Sequence, residues 1–266
     1  MTSFRDLHTP GAPFILANAW DVGSAKMLAA LGAKAVATSS AAHAFTLGRP
    51  DGLGVSRDQA LAHAQDIVSA VSIPVQGDFE NGWGDSPDDV VETVRLAAEA
   101  GLAGICIEDI ALPSADAYAR EHAIERVRAG AAAARALPHD FVFTARADGI
   151  MTGAYEIDEA IARLQGFEAA GADCLYAPLP KTMDDLARIC TSVTTPINVL
   201  AAGPLYTGKT LEDFAKLGVA RVSLGSALAR VTHRVIHDAA TDMFGTGSFS
   251  ILGTGMPGDK VDALLD

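Results

Sequence analysis

The chain has 266 residues, 49% of them apolar and 20% charged, the mix of a globular protein able to bury a large core. Thirty-three acids against twenty Lys plus Arg leave a formal net charge of −13; such a surface repels nucleic acid and anionic membrane, and neither is an expected partner. No apolar run approaches the roughly 18 residues that span a bilayer, and the first residues lack the basic-then-apolar build of a signal peptide, so the expected location is cytoplasmic.

Eight short, apolar, β-branched runs recur at 13–19, 35–40, 73–80, 104–109, 141–148, 174–180, 196–202 and 221–226. Each is too short for a helix and too continuously apolar for a half-exposed strand, so buried parallel strands are predicted. Alanine-rich amphipathic stretches between them predict helices, for example over 58–71, 86–101, 124–137 and 157–172. Ser86-Pro87 places a cap and then a proline at the first helical position. Thr182 precedes Asp184 and Asp185, and Thr210 precedes Glu212 and Asp213, putting acids where the helix dipole favours them. Gly32, Gly101, Gly171 and Gly218 are helix stops. Eight βα units in one chain without a linker predict an α/β fold, a single (β/α)8 TIM barrel over 1–266. The glycine-rich segment 244–266 breaks the rhythm and is expected to pack as a tail or to be exchanged between subunits. Cys106, Cys174 and Cys190 all sit among apolar neighbours and are expected to be free core residues rather than a disulfide framework.

In such a barrel the chemistry lies at the C-terminal ends of the strands. Asp51, Asp78, Glu80, Glu108, Asp109 and Asp148 crowd the mouths of the second to fifth strands, and they cannot all ionise in one cavity without help. A divalent cation is the economical solution, and oxygen-only ligands favour Mg2+ or Mn2+ over Zn2+. Alternation along the third strand would point Asp78 and Glu80 to one side. Arg146 is either an ion-pair partner of Asp148 or the fork that grips a substrate carboxylate or phosphonate. His43 is a candidate lining residue. His8, His63, His139, His233 and His237 read as surface histidines. Lys181 stands where a barrel aldolase would carry its Schiff-base lysine, but Pro178-Leu179-Pro180 marks a loop. Gly203-Pro204 and Gly225-Ser226 stand where phosphate-binding barrels hold their ligand.

The motifs GRPDG, GDFENGWG, GICIEDI and FTARADG together resemble the isocitrate lyase / phosphoenolpyruvate mutase superfamily, over most of the chain from Ala17 to about Ser226. The resemblance implies a barrel whose last helix is exchanged between paired subunits, commonly a homotetramer built as a dimer of dimers. It implies Mg2+, a small 2-oxo acid partner, and an enolate formed as a C–C or P–C bond breaks. By position, Asp78 resembles the direct metal ligand. Asp51, Glu80 and Glu108 resemble the acids that hold the ion through waters. Arg146 resembles the arginine on the carboxylate or phosphonate end, and Ser39, Ser40 and Ala41 the turn that cradles the 2-oxo acid. Trp20 and Asp21 stand in a substrate-lining segment.

The departures shape the functional expectation. Lyases of that family carry a Lys-Cys-Gly-His loop after the fourth strand, with the Cys as acid-base. Here 110–123 has neither Cys nor Lys, and the Lys-Thr-Asn of the mutases is also absent. The chemistry best matched to what remains is metal-dependent, oxaloacetate-type decarboxylation or related C–C cleavage, with Arg146, Asp51 and Glu108 in catalytic roles. Tyr118, His122, His43 or water would supply the final proton. The alternatives are phosphonopyruvate/phosphoenolpyruvate phosphonomutase or P–C hydrolase chemistry, and a non-catalytic 2-oxo acid binding protein.

Overall fold

A computed structural model describes residues 3–52 and 54–266 of the chain. In chain order the strands are β1 (Phe14–Asn18), β2 (Ala35–Ala37), β3 (Val75–Asp78), β4 (Gly104–Glu108), β5 (Ile110–Ala111), β6 (Asp116–Ala117), β7 (Val142–Arg146), β8 (Cys174–Tyr176), β9 (Ile197–Leu200) and β10 (Arg221–Ser223). Each of the eight apolar runs supplies one strand of a closed parallel barrel, β1-β2-β3-β4-β7-β8-β9-β10, with β10 paired back to β1. The short β5 and β6 form a separate antiparallel hairpin beyond the end of β4.

The surrounding helices are α1 (Val22–Ala30), α2 (Ser40–Thr46), α3 (Arg57–Ala70), α4 (Pro87–Glu99), α5 (Arg120–Arg135), α6 (Gly149–Thr152), α7 (Ile157–Ala170), α8 (Met183–Ser192), α9 (Pro204–Thr207), α10 (Leu211–Ala215), α11 (Ala227–Thr246) and α12 (Gly258–Leu265). Their punctuation follows the sequence. Ser86 accepts from the Asp89 N–H at the start of α4, and Thr182 and Thr210 cap α8 and α10 in the same way. The helix α5 begins at Arg120 rather than at 124, because Ala119 caps it without any side-chain signal. The helix α11 runs on to Thr246, past the expected start of the tail, and α12 then packs against α1 of its own chain, where Lys26 Nζ donates to the Leu265 carbonyl. The three cysteines are free; Cys106 and Cys174 are buried and Cys190 is half-buried.

Apolar residues face outward from the barrel to the helices, where Ile105, Phe143, Leu164, Phe167 and Leu175 form part of one core. The barrel interior is mixed: Phe14, Leu16, Ala35, Ala37, Val142 and Cys174 form a second apolar cluster with Phe4, and polar side chains stand beside it. At its lower end Arg221, 1% exposed, donates from Nε to Asn198 Oδ1 at 2.8 Å and from Nη1 to Gln76 Oε1 at 2.7 Å. The same Nη1 meets His8 Nε2 at 3.0 Å. His8 is therefore not a surface residue. It plugs the barrel floor, and burial together with the Arg221 charge drives its pKa down to about 3, so it stays neutral and can accept.

Among the described residues, no carboxylate pairs with Arg221, so its charge is held by neutral acceptors alone. Arg221→Ala would strand those acceptors and is expected to cost about 3 kcal/mol or more. In a chain of this size that lowers Tm by about 10 °C, measurable by denaturant titration and thermal scanning.

Candidate active site

The mouth of the barrel is built by strand register. Glu108 on β4 stands beside Arg146 on β7, and Arg146 stands beside Tyr176 on β8. All three close their strands and point inward. Arg146 Nη1 lies 2.8 Å from Glu108 Oε1 and 3.7 Å from Asp78 Oδ1, and Nε donates to Asp148 Oδ1 at 2.5 Å. The guanidinium carbon sits 5.2 Å from the centre of the Tyr176 ring, within cation–π range. Among the described residues Nη2 has no protein partner and remains free for a ligand.

Asp78 ends β3, and its Oδ2 accepts from Ser40 N at 2.9 Å and from Ser40 Oγ at 3.0 Å. Ser39 caps α2 with its side chain on the Ala42 N–H, so Ser39, Ser40 and Ala41 form a short turn on the wall of the mouth. Asp51 comes from the loop before α3, which Arg49 ties by donating to the Gly54 carbonyl. The cavity enclosed is about 250 Å3. Among the described residues its carboxylates are Asp51, Asp78, Glu80, Glu108 and Asp148, and Arg146 is the one cationic side chain lining it.

This imbalance is felt by Glu80, Asp148, Asp51 and Glu108. Burial, then the Asp78 and Asp51 charges, raises Glu80 to about 7. Burial raises Asp148 to about 6 in spite of Arg146, and burial also lifts Asp51 and, more strongly, Glu108. Excess buried negative charge with oxygen donors only is the setting for a hard divalent cation. Among the described residues no three His, Cys, Asp or Glu side chains converge as a direct ligand cluster. The acids instead stand around an open volume, which suits an ion held by one or two carboxylates and completed by waters, the habit of Mg2+.

Most of the expected site is therefore brought together: Asp51, Asp78, Glu80 and Glu108, Arg146, and the Ser39-Ser40-Ala41 turn all line one cavity. Glu80 arrives by a different route from strand alternation. β3 stops at Asp78, and a left-handed backbone at Glu80 (φ 46°) turns the side chain inward. Arg146 satisfies both readings at once, pairing with Asp148 while keeping one edge free.

Other candidates fall elsewhere. Asp21 caps α1, with Ser24 N donating to its Oδ1 at 2.6 Å, so the chain turns away from the mouth directly after β1. Trp20 consequently lies in an outer groove, where His63 Nε2 donates to its carbonyl at 2.9 Å. His43 points toward α3 and stacks on His63, ring centres 3.8 Å apart and nearly parallel; it backs Asp78 and Glu80 from behind and does not line the mouth. Neither Tyr118 nor His122 reaches the mouth, because both are tied to the Asp85 turn. Lys181 is exposed and paired with Glu156, which removes the Schiff-base reading. Asp109 faces away from Glu108, as alternation requires, and is bound to Arg163 and Tyr155. Gly225 and Ser226 line the cavity, whereas Gly203 and Pro204 do not. Sequence reasoning does not reach the apolar lining from Ile110, Leu112, Met151 and Leu200: these come from the short hairpin, from α6 and from the end of β9, and have no chemistry of their own.

Three comparisons bear on this geometry. The sequence pattern of phosphoenolpyruvate phosphomutase matches residues 4–244. A candidate lyase/mutase of Burkholderia cenocepacia J2315 is similar in structure, with a TM-score of 0.93 and 43% identity, over 98% of this chain and 93% of that one. An uncharacterised protein of Mycobacterium tuberculosis is 35% identical over 84% of this chain and 82% of its own length, and oxaloacetate decarboxylase of Pseudomonas savastanoi pv. phaseolicola is 30% identical over 81% and 73%.

The raised carboxyl values carry a sign. The native state keeps protons that the unfolded chain releases near its ordinary carboxyl pKa, so stability from this source is full in acid. It is lost as pH rises through about 6 for Asp148 and about 7 for Glu80. A divalent cation would offset that loss. Mg2+ is expected to raise Tm more at pH 8 than at pH 5 in thermal scanning against EDTA, and Asp78→Asn to remove most of the difference. Equal shifts at both pH values would show that the acids ionise without an ion.

Proposed function

We propose a function from one premise: the chain belongs to the phosphoenolpyruvate phosphomutase family. It is a Mg2+-dependent lyase acting on a small 2-oxo acid, and its reaction is decarboxylation of an oxaloacetate-type substrate. The observation that carries this reading is the mouth itself: five carboxylates around one guanidinium, with neither a Cys nor a Lys lining it.

Asp78 would hold the ion directly, and Asp51, Glu80 and Glu108 through waters. When bound, the ion supplies the Lewis-acid charge that stabilises the oxygen of the 2-oxo group as negative charge develops there. The chain's own residues do the rest. The free Nη2 edge of Arg146 takes one substrate carboxylate, and Glu108 and Asp148 fix the guanidinium plane. The Ser40 and Ala41 N–H groups take the other carboxylate. Ser40 now donates to Asp78, so its N–H would reach a substrate carboxylate only once Asp78 turns away from it.

The C3–C4 bond then breaks, CO2 departs, and the electron pair stays on C3 as the enolate. That step needs no acid on the leaving group, which is why a mouth without the family's thiol is suited to it. The proton that C3 takes at the end comes from water, since Tyr118 and His122 are tied to the Asp85 turn and His43 stacks on His63 away from the mouth. The exposed apolar side chains Val231, Val235 and Ile236 on α11 fit the subunit association expected of a dimer of dimers.

The test is pyruvate release from oxaloacetate, above the background with free Mg2+, alongside phosphonopyruvate, methylisocitrate and isocitrate. Oxaloacetate turnover is expected to vanish in EDTA and to fall by about 10²–10³ in kcat/KM for Arg146→Ala, the loss typical of removing a preorganised charge donor. Turnover of phosphonopyruvate instead would assign P–C chemistry. Metal-dependent stabilisation by a 2-oxo acid without turnover would assign a binding protein.

A further inference from the structure

The lining of the mouth is of two kinds. The acids, Arg146 and the Ser39-Ser40-Ala41 turn make one. The other is hydrocarbon: Ile110 and Leu112 from the hairpin, Met151 from α6 and Leu200 at the end of β9. Among the described residues Arg146 is the cation that lines the cavity.

The hairpin is clamped at its base. Tyr118 N donates to the Asp109 carbonyl at 3.0 Å, and Arg163 Nη2 donates to the Tyr118 carbonyl at 2.8 Å. The Asp109 carboxylate accepts from Arg163 Nη1 at 2.9 Å, from the Tyr155 hydroxyl at 2.7 Å and from Asp148 N at 2.8 Å. Gly149 makes this possible, since a Cβ there would lie 2.1 Å from the Tyr155 ring. Asp109 and Arg163 are 3% and 5% exposed, so opening the base would strand buried charge. Ile110, next to Asp109 and 4% exposed, is fixed in place.

We infer that this wall sets specificity at substrate C3: it receives a hydrogen or a short alkyl group and refuses a further carboxylate. The inference rests on the 2-oxo acid reading of the mouth. An alkyl group would be covered by Ile110, Leu112 and Met151. A third carboxylate would be desolvated against them with no partner, because two of the three Arg146 nitrogens are already held by Glu108 and Asp148.

The experiment has a binding arm and a turnover arm, both with Mg2+. In calorimetry with pyruvate, 2-oxobutanoate and 2-oxopentanoate, affinity is expected to rise roughly fourfold per added methylene. The series should flatten in Leu112→Ser and in Met151→Ser; Met151 is 41% exposed, so that variant keeps its fold. In the turnover arm, 3-methyloxaloacetate loses CO2 to give 2-oxobutanoate, with kcat/KM expected about tenfold above oxaloacetate. The 3-carboxymethyl analogue should fall at least about a hundredfold below it, and Leu112→Lys should narrow that gap. A flat or falling affinity series, no binding of any member, or tricarboxylate turnover matching oxaloacetate would overturn the inference. A rising series with no turnover would sink the decarboxylase reading and leave the wall standing.

Discussion

Everything at the mouth depends on one guanidinium. Arg146 closes β7 with Glu108 beside it on one neighbouring strand and Tyr176 on the other, and it is the one positive side chain lining a cavity with five carboxylates. Burial works against its charge, but Asp148 and Glu108 hold it ionised. The same contacts leave it a single free edge. Its place is fixed by backbone register rather than by a flexible loop.

Alternation along the strands separates two electrostatic systems that the sequence places side by side. Glu108 faces the mouth; Asp109, the next residue, faces outward to Arg163 and Tyr155. Arg146 faces the mouth; Asp148, two residues on, accepts from Arg146 through its side chain and donates to Asp109 through its backbone. Asp148 is thus the hinge between the reactive acids and the clamp beneath the hairpin. Lower in the barrel, Arg221 repeats the principle of a buried charge held by register, there with neutral acceptors. The polar part of the interior is compatible with a stable barrel because its donors and acceptors are paired: among the described residues no buried side-chain N or O atom lacks a partner.

The barrel was legible because its signal is collective: eight apolar runs with capped helices between them leave few other topologies. That Asp78, Glu108 and Arg146 meet at one mouth was legible because each of them ends its strand. Trp20 and His43 were misplaced for a physical reason. A strand end predicts where its last side chain points, but not the residues after the turn, and Asp21 starts α1 at once while His43 lies a helical turn beyond the cradle. The inward turn of Glu80 depends on a left-handed backbone conformation that an acid rarely adopts and that no periodicity announces. His8 looked like a terminal residue because its partners, Arg221 and Phe4, include one more than 200 residues away.

The replacement of a reactive loop by a clamped hairpin links structure to chemistry. A loop that carries an acid-base thiol must approach and withdraw, and it is drawn from the mobile, weakly held parts of a protein. The carboxyl of the hairpin, Asp116, is exposed and does not line the mouth, and the base is tied by a buried ion pair and hydrogen bonds. It trades mobility for shape. In the proposed decarboxylation the leaving group departs as neutral CO2 and needs no proton, so a hairpin that brings Ile110 and Leu112 to the mouth rather than an acid-base side chain suits it. Under that proposal Arg146 and the Ser40-Ala41 turn hold the two carboxylates, and the hydrocarbon lining is left for the substituent at C3.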